Sequence, residues 1–393
     1  REREGVGQMG PRCPRQTSHK SDVSPQVHVC VVVGEQEKPK GAYRRHSGQC
    51  DRGMPRHASF LVHGASIAHS RAATTRKWFR LNVEEKGLDA VWRCDYCSEL
   101  WRRIMDQLIK ALSPTTKIRF ASVEATMAAK ALEARHLSGP TASLALAEGL
   151  VAVALLSLDV ANDDEAVMLR TNVAGPLGGM MVEAMGDGGL RGFTNTKILN
   201  DLDGLDSIST DDALGRSGSV QVVTSTPGKI LNQASLNVNR PHMSYVVARY
   251  FSHSMQVPTA CEVCAKADSG GIISARGFLA QRMEDSDREA FVRVLEQFEE
   301  GAVRERLSQT SDCAAFGETF GLPDVAVRDT RPLMFNCRCT RERTLAVLKT
   351  LSRAELETLI ARGESQHITC HMCGDSYAAS PDDLRAALAE ADS

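Results

Sequence analysis

Four cysteines near the C-terminal end are spaced for chemistry. Cys337 and Cys339 sit one residue apart in RPLMFNCRCTRER, and Cys370 and Cys373 stand two apart in HITCHMCGDSY, giving the pattern C-x-C-x30-C-x-x-C. Four soft sulfur donors in two tight pairs match a tetrahedral zinc site, with metal–sulfur bonds of about 2.3 Å. Each short spacing lets one turn present two ligands, and the long gap leaves room for one or two helices to fold back. Two permanent disulfides would instead suit an oxidising compartment, to which nothing in the sequence points. Zinc keeps thiols as thiolates, the form that oxidants attack. Each pair is also close enough to join internally once oxidised, so the cluster is a candidate sensor as well as a staple.

The residues around the cysteines predict a small unit, 331–393. TRERTLAVLKTL is a short helix. Ser352 with Glu355 starts another, RAELETLIARG, stopped by Gly363. HITC and DSYAAS flank the second pair, and Ser380 caps a final helix opening with Pro381, Asp382 and Asp383. A unit this small, with few large apolar side chains, is marginal without a staple. Metal binding would supply on the order of 10 kcal/mol of its folding free energy.

Before it, SDREAFVRVLEQFEEGAVRERL places Phe291, Leu295, Phe298 and Ala302 at helical spacing, with Ser286 and Glu289 as a capping box. It predicts a helical linker over 283–330, either a surface helix packed on the core or a hinge element that docks weakly and can come loose.

The body, assigned to 84–282, alternates helix and hairpin signals. VEATMAAKALEARHL is a helix ending at Ser138-Gly139-Pro140, and an Ala-rich helix covers 141–158. That second segment is apolar, yet Glu148 at its middle would be costly in lipid, so it is a core helix and no membrane partner is expected. EAVMLRTNV and LGGMMVEAM are strands around Gly175-Pro176, GDGG turns the chain into LRGFT, and SVQVVTS and KILNQASLNV flank Thr226-Pro227-Gly228. RPHMSYVVARYFSHS is a helix with Pro241 in its first turn. TACEVCAKA and GIISARGFLAQRM give two further strands. The fold class is α+β: antiparallel strands with packed helices, a helical linker and a small zinc-binding domain.

The chain of 393 residues is 42% hydrophobic with a net charge of −2, ample for a core and without nucleic-acid bias. Residues 1–78 hold 14 Lys/Arg against 6 Asp/Glu. The leader, 1–83, has the composition of a disordered segment. Its stretch 52–83 lacks acidic residues, as organelle transit peptides do. The expected location is therefore the cytoplasm, or a mitochondrion or plastid if that stretch is a transit peptide. Cys94/Cys97 and Cys261/Cys264 make two more C-x-x-C pairs. On a regular strand, residues three apart point to opposite faces, so Cys261 and Cys264 are expected as free thiols.

The cysteine segments resemble the heat shock protein 33 family, the redox-regulated holdase chaperones. The C-x-C, the gap, the C-x-x-C-G and the Arg-Glu-Arg after Cys339 all fit. KALEARHLSGPTASLALAEGLVAVALL, GDGGLRGF and YFSHSMQVPT are similar to the family's body, so the resemblance covers about 117–391. It implies a substrate-binding α+β domain, a metastable linker and a zinc switch. One Zn2+ would be held in the reduced form by Cys337, Cys339, Cys370 and Cys373, which are also the implied redox-active disulfide residues. It further implies no catalytic residue, unfolding proteins as partners, no ATP requirement and a homodimer when oxidised. Two rivals stand beside it. A C-x-x-C oxidoreductase would want its pair at a helix N-terminus, whereas Cys370 and Cys373 precede Gly374 and a strand. A zinc-ribbon nucleic-acid binder would want a basic, aromatic-studded surface, whereas 331–393 carries both charge signs with only Phe335 and Tyr377 as aromatics.

Overall fold

The structure, a computed structural model, describes residues 105–205 and 209–391. The basic leader 1–83 and the pair Cys94/Cys97 lie outside the described residues. The described residues open with the antiparallel strands β1 (Gln107–Leu112) and β2 (Ile118–Glu124), then helices α1 (Thr126–His136) and α2 (Pro140–Leu156). A meander follows: β3 (Ala166–Val173), β4 (Gly179–Met185) and β5 (Gly189–Thr194). Short helices α3 (Asn200–Asp203) and α4 (Thr210–Leu214) lead to the hairpin β6 (Gly218–Thr226) and β7 (Lys229–Val238). Helix α5 (Met243–Arg249) runs into a π-turn, and β8 (Thr259–Asp268) and β9 (Gly271–Arg282) form the next hairpin. Three helices come next: α6 (Arg288–Glu299), α7 (Ala302–Gln309) and α8 (Cys313–Thr319). Strands β10 (Ala326–Pro332) and β11 (Met334–Phe335) precede the last unit. That unit comprises α9 (Arg341–Leu345), a 3-10 turn, α10 (Arg353–Arg362), β12 (Gln366–Thr369), β13 (Ser376–Ala379) and α11 (Pro381–Ala391).

The fold is α+β, as expected. One sheet has the order β10-β1-β2-β9-β8 and is antiparallel throughout; the other runs β11-β5-β4-β3-β6-β7, with only β11 and β5 parallel. Between them lies α2, in which every residue from Thr141 to Leu156 is buried. Its approach to both sheets is close enough to need glycines. A Cβ on Gly149 would meet Met180 Sδ of β4 at 2.5 Å, and one on Gly277 of β9 would meet Val151 Cγ1 of α2 at 2.4 Å. Burying each large side chain of α2 stabilises by about 1.5–3 kcal/mol. No helix among the described residues is long and apolar enough to cross a membrane.

The period of two along β9 divides the body into two cores. Ala275 and Leu279 face α2, while Phe278 and Ala280 face α6–α8. On that second side Phe120, Phe278, Phe316 and Phe320 stack, with the Phe278 and Phe316 ring centroids 3.9 Å apart. Polar contacts fasten the linker as well: Arg276 donates to the Leu307 and Ser308 carbonyls, and Ser311 Oγ donates to Glu124.

The structure departs from the sequence reading in local detail. The cap of α6 is Asp287, whose carboxylate accepts from the Glu289 and Ala290 amides; Ser286 instead donates to the Lys117 carbonyl. Pro241 lies just ahead of the His242 cap of α5, outside its first turn. Val123 and Glu124, read as helix, end β2. The stretch 283–330 is helical only to residue 319, since β10 starts at 326 and completes the sheet edge beside β1. The Ser352–Glu355 capping box and the Gly363 stop, at φ +67°, are both present.

Candidate metal centre

The first cysteine pair lies on an irregular stretch between a strand and a helix, the second on a tight turn. Cys337 and Cys339 come just after β11, beyond Asn336, and precede α9, which is capped by the Thr340 hydroxyl. Cys370 and Cys373 lie on the tip between β12 and β13, closed by Gly374 N donating to the Cys370 carbonyl and Cys370 N donating to that of Asp375. Gly374 has φ +81°, and a Cβ there would meet the Arg135 carbonyl at 2.7 Å, so only glycine suits the turn.

The fold brings all four predicted residues together. Their Sγ atoms lie within 4.8 Å of one another, with Cys337–Cys370 at 3.9 Å and Cys339–Cys373 at 3.4 Å. A regular tetrahedron with bonds of about 2.3 Å has edges of about 3.8 Å, so the spacing and the all-sulfur donor set suit zinc. Electrostatics agrees. Burial pushes the Cys370 and Cys373 thiols up. Burial also raises Cys339, but the Tyr377 hydroxyl and the neighbouring thiols draw it below its ordinary value. Four sulfurs this close cannot all ionise unaided, and a divalent cation at their centre removes that obstacle. Among the described residues, no other group of three or more His, Cys, Asp or Glu side chains converges in this way.

The remaining described cysteines are unsuited to either role. Cys261 is buried in the core and Cys264, on the other strand face, is half-buried, as their spacing predicts. Burial pushes both thiols up, and drives Cys313, buried against Ser122 Oγ at 3.2 Å, to about 12. A thiol held protonated is a poor nucleophile.

The sequence reading did not identify the residues that seat the cysteine loops on the body. Gly192 N of β5 donates to the Met372 carbonyl at 3.2 Å, while buried His136 at the end of α1 donates through Nε2 to the Gly192 carbonyl at 2.9 Å. Arg135 pairs with Asp375 and lies over the Phe335 ring, 4.7 Å from its centroid. Arg338, between the first two cysteines, reaches Asp187 in the β4–β5 turn at 3.5 Å, and Arg191 Nη1 lies 3.9 Å from Cys337 Sγ. These partners are far apart in sequence, so no spacing reveals them; the only hints were the stretches KALEARHLSGP, which holds Arg135 and His136, and GDGGLRGF, which holds Asp187, Arg191 and Gly192, as points of family likeness.

A helix sandwiched between two sheets, with a four-sulfur centre on the chain that leaves them, defines an α+β body carrying a C-terminal site of zinc type. The Hsp33 protein family model matches residues 106–380, and the chain belongs to that family of chaperones. The match begins earlier than the 117 suggested by sequence resemblance, because β1 is part of the body. The 33 kDa chaperonin of Rippkaea orientalis is 30% identical over 295 residues, covering 71% of this chain and 95% of the relative. That of Thermus thermophilus is 26% identical over 302 residues, covering 73% and 87%. The crystal structure of the 33 kDa chaperonin of Thermotoga maritima, 22% identical, shares the fold with a TM-score of 0.63 over 74% of this chain and all of that one. These relatives are named as chaperonins, not as enzymes.

Proposed function

We propose that the chain is a redox-regulated, ATP-independent holdase that binds unfolding proteins when oxidised. The observation that carries this reading is the convergence of Cys337, Cys339, Cys370 and Cys373 at the junction of tail and body. When bound, zinc holds these sulfurs as thiolates and supplies the tail's missing stability. Under peroxide, Cys337 with Cys339 and Cys370 with Cys373 each lose two electrons. An S–S bond forms, the peroxide O–O bond breaks, and, with two protons taken from solvent, two waters leave per pair. The metal then has no ligands, the tail loses its staple, and α6–α8 lose the support that follows them in the chain. The face of Phe120 and Phe278 is uncovered for apolar segments of clients, and a second copy can cover part of it, giving a dimer. A reducing compartment such as the cytoplasm keeps the resting state closed.

The test is zinc release followed alongside light scattering from a heat-unfolded client. The reduced chain should hold one zinc and let the client aggregate; after peroxide with mild heat it should release the zinc and suppress aggregation. Equal suppression by both forms would reduce the centre to a structural role.

A further inference from the structure

We propose that Arg191 is a positioning residue of the sulfur centre: a cation supplied by the body that offsets charge at Cys337 and slows attack on that sulfur. The inference rests on the reading above that the four cysteines hold zinc. Four thiolates around a divalent ion leave two net negative charges. In a half-buried site such charge needs N–H donors or cations from the surroundings, which also tune ligand reactivity. Tyr377 Oη stands 3.2 Å from Cys339 Sγ and serves that sulfur. For Cys337 the group at hand comes from β5.

Four features make the Arg191 contact more than proximity. Arg191 lies directly opposite Glu183 in the β4–β5 register, and its Nε and Nη2 donate to Glu183 Oε1 at 3.1 and 2.7 Å. The guanidinium is planar, so this grip fixes the direction of the remaining nitrogen, Nη1, which points to Cys337 Sγ. Both side chains are largely shielded, 20% exposed for Arg191 and 15% for Glu183, so water screens the charge little. The parallel pairing of Phe335 with Leu190 sets the register that brings Cys337 alongside. The next residue, Gly192, holds the other cysteine loop through its amide. Two consecutive residues of β5 therefore touch both halves of the centre.

The bland alternative is that Arg191 only pairs with Glu183 across the strands. Site-resolved alkylation of the full zinc-loaded chain separates the two. Iodoacetamide forms an S–C bond at each sulfur and releases iodide, and mass spectrometry reads each cysteine's rate. A nearby positive N–H withdraws electron density from sulfur, so its removal should speed the reaction. In Arg191→Met, Cys337 should react about tenfold faster than in the parent, and Cys339, beside Tyr377, should change far less. Zinc retention against a competing chelator should fall about tenfold in the same variant. Arg191→Lys keeps the charge without the fork and should fall between parent and Arg191→Met; it also serves if the Met variant does not fold. An unchanged Cys337 rate, or equal acceleration at all four cysteines, overturns the proposal while leaving the zinc reading intact. A parent chain that holds no zinc overturns both.

Discussion

The body and the tail face the same entropic cost of ordering a chain and meet it with unequal means. The body buries a largely apolar helix between two sheets and a set of stacked phenylalanines beneath the linker. The tail's own buried cluster is Leu348, Leu356, Ala379, Leu384 and Ala387, two of them alanine. At about 25 cal/mol per Å2 of apolar surface, such a cluster cannot offset the ordering of some sixty residues. The difference teaches where a switch can be placed. A body that folds on apolar burial persists through redox changes, while a tail that depends on sulfur ligation does not.

The strongest way to break this comparison is to remove one sulfur. Cys373→Ser should cost the tail most of the metal's contribution, on the order of 10 kcal/mol. Tail amides should then exchange with solvent as in an unfolded segment while α2 stays protected; a protected tail in that variant would contradict the dependence on sulfur. Next in size, Phe278→Ala removes the ring shared by Phe120, Phe298, Phe316 and Phe320 and should cost about 3–5 kcal/mol in a denaturant titration of the body. Its zinc stoichiometry should remain at the parent value, since the cost falls on the other kind of glue.

The smallest effect concerns pH. Glu148 is buried in α2, and burial pushes its carboxyl up to about 7; Asp211 and Glu262 add to the rise, while the Thr210 hydroxyl and Arg304 oppose it. The folded value exceeds the unfolded 4.5, so the native state keeps a proton that the unfolded chain gives up. The contribution is fully favourable below about 4.5 and is lost as pH rises through about 7. Glu148→Gln should therefore nearly match the parent in unfolding free energy near pH 4.5 and exceed it by about 3 kcal/mol near pH 8. A parallel offset at both pH values would mean that titration is not the cause.

How far the sequence reveals this molecule depends on whether the deciding neighbours are local. The cysteine loops, the capping box at Ser352 and the turn at Pro227-Gly228 are all local, and all were legible. The two-residue turn has Gly228 at φ +78°, as a glycine after proline in a tight turn requires. Strands β1 and β10 were not legible. QLIKAL is short with a lysine inside it, and AVRDTRP is polar and ends in proline, as an exposed edge strand can. β10 becomes a strand because β1 pairs with it across more than two hundred residues, and β1 lies between β10 and its neighbour β2. The seat of the metal centre was hidden for the same reason: Arg191, Gly192 and His136 become neighbours of the cysteines only after β11 has joined β5.

The path of the chain between the sheets gives the tail its reach. Pro332 ends the edge of one sheet and Met334 starts the edge of the other; between them stands Leu333, buried, its amide held by the Asp106 carbonyl. Cys337 comes two residues after β11. The cord from sulfur to both sheets thus has no slack, and a tug at the knot is felt at two seams simultaneously rather than being absorbed along a flexible tether.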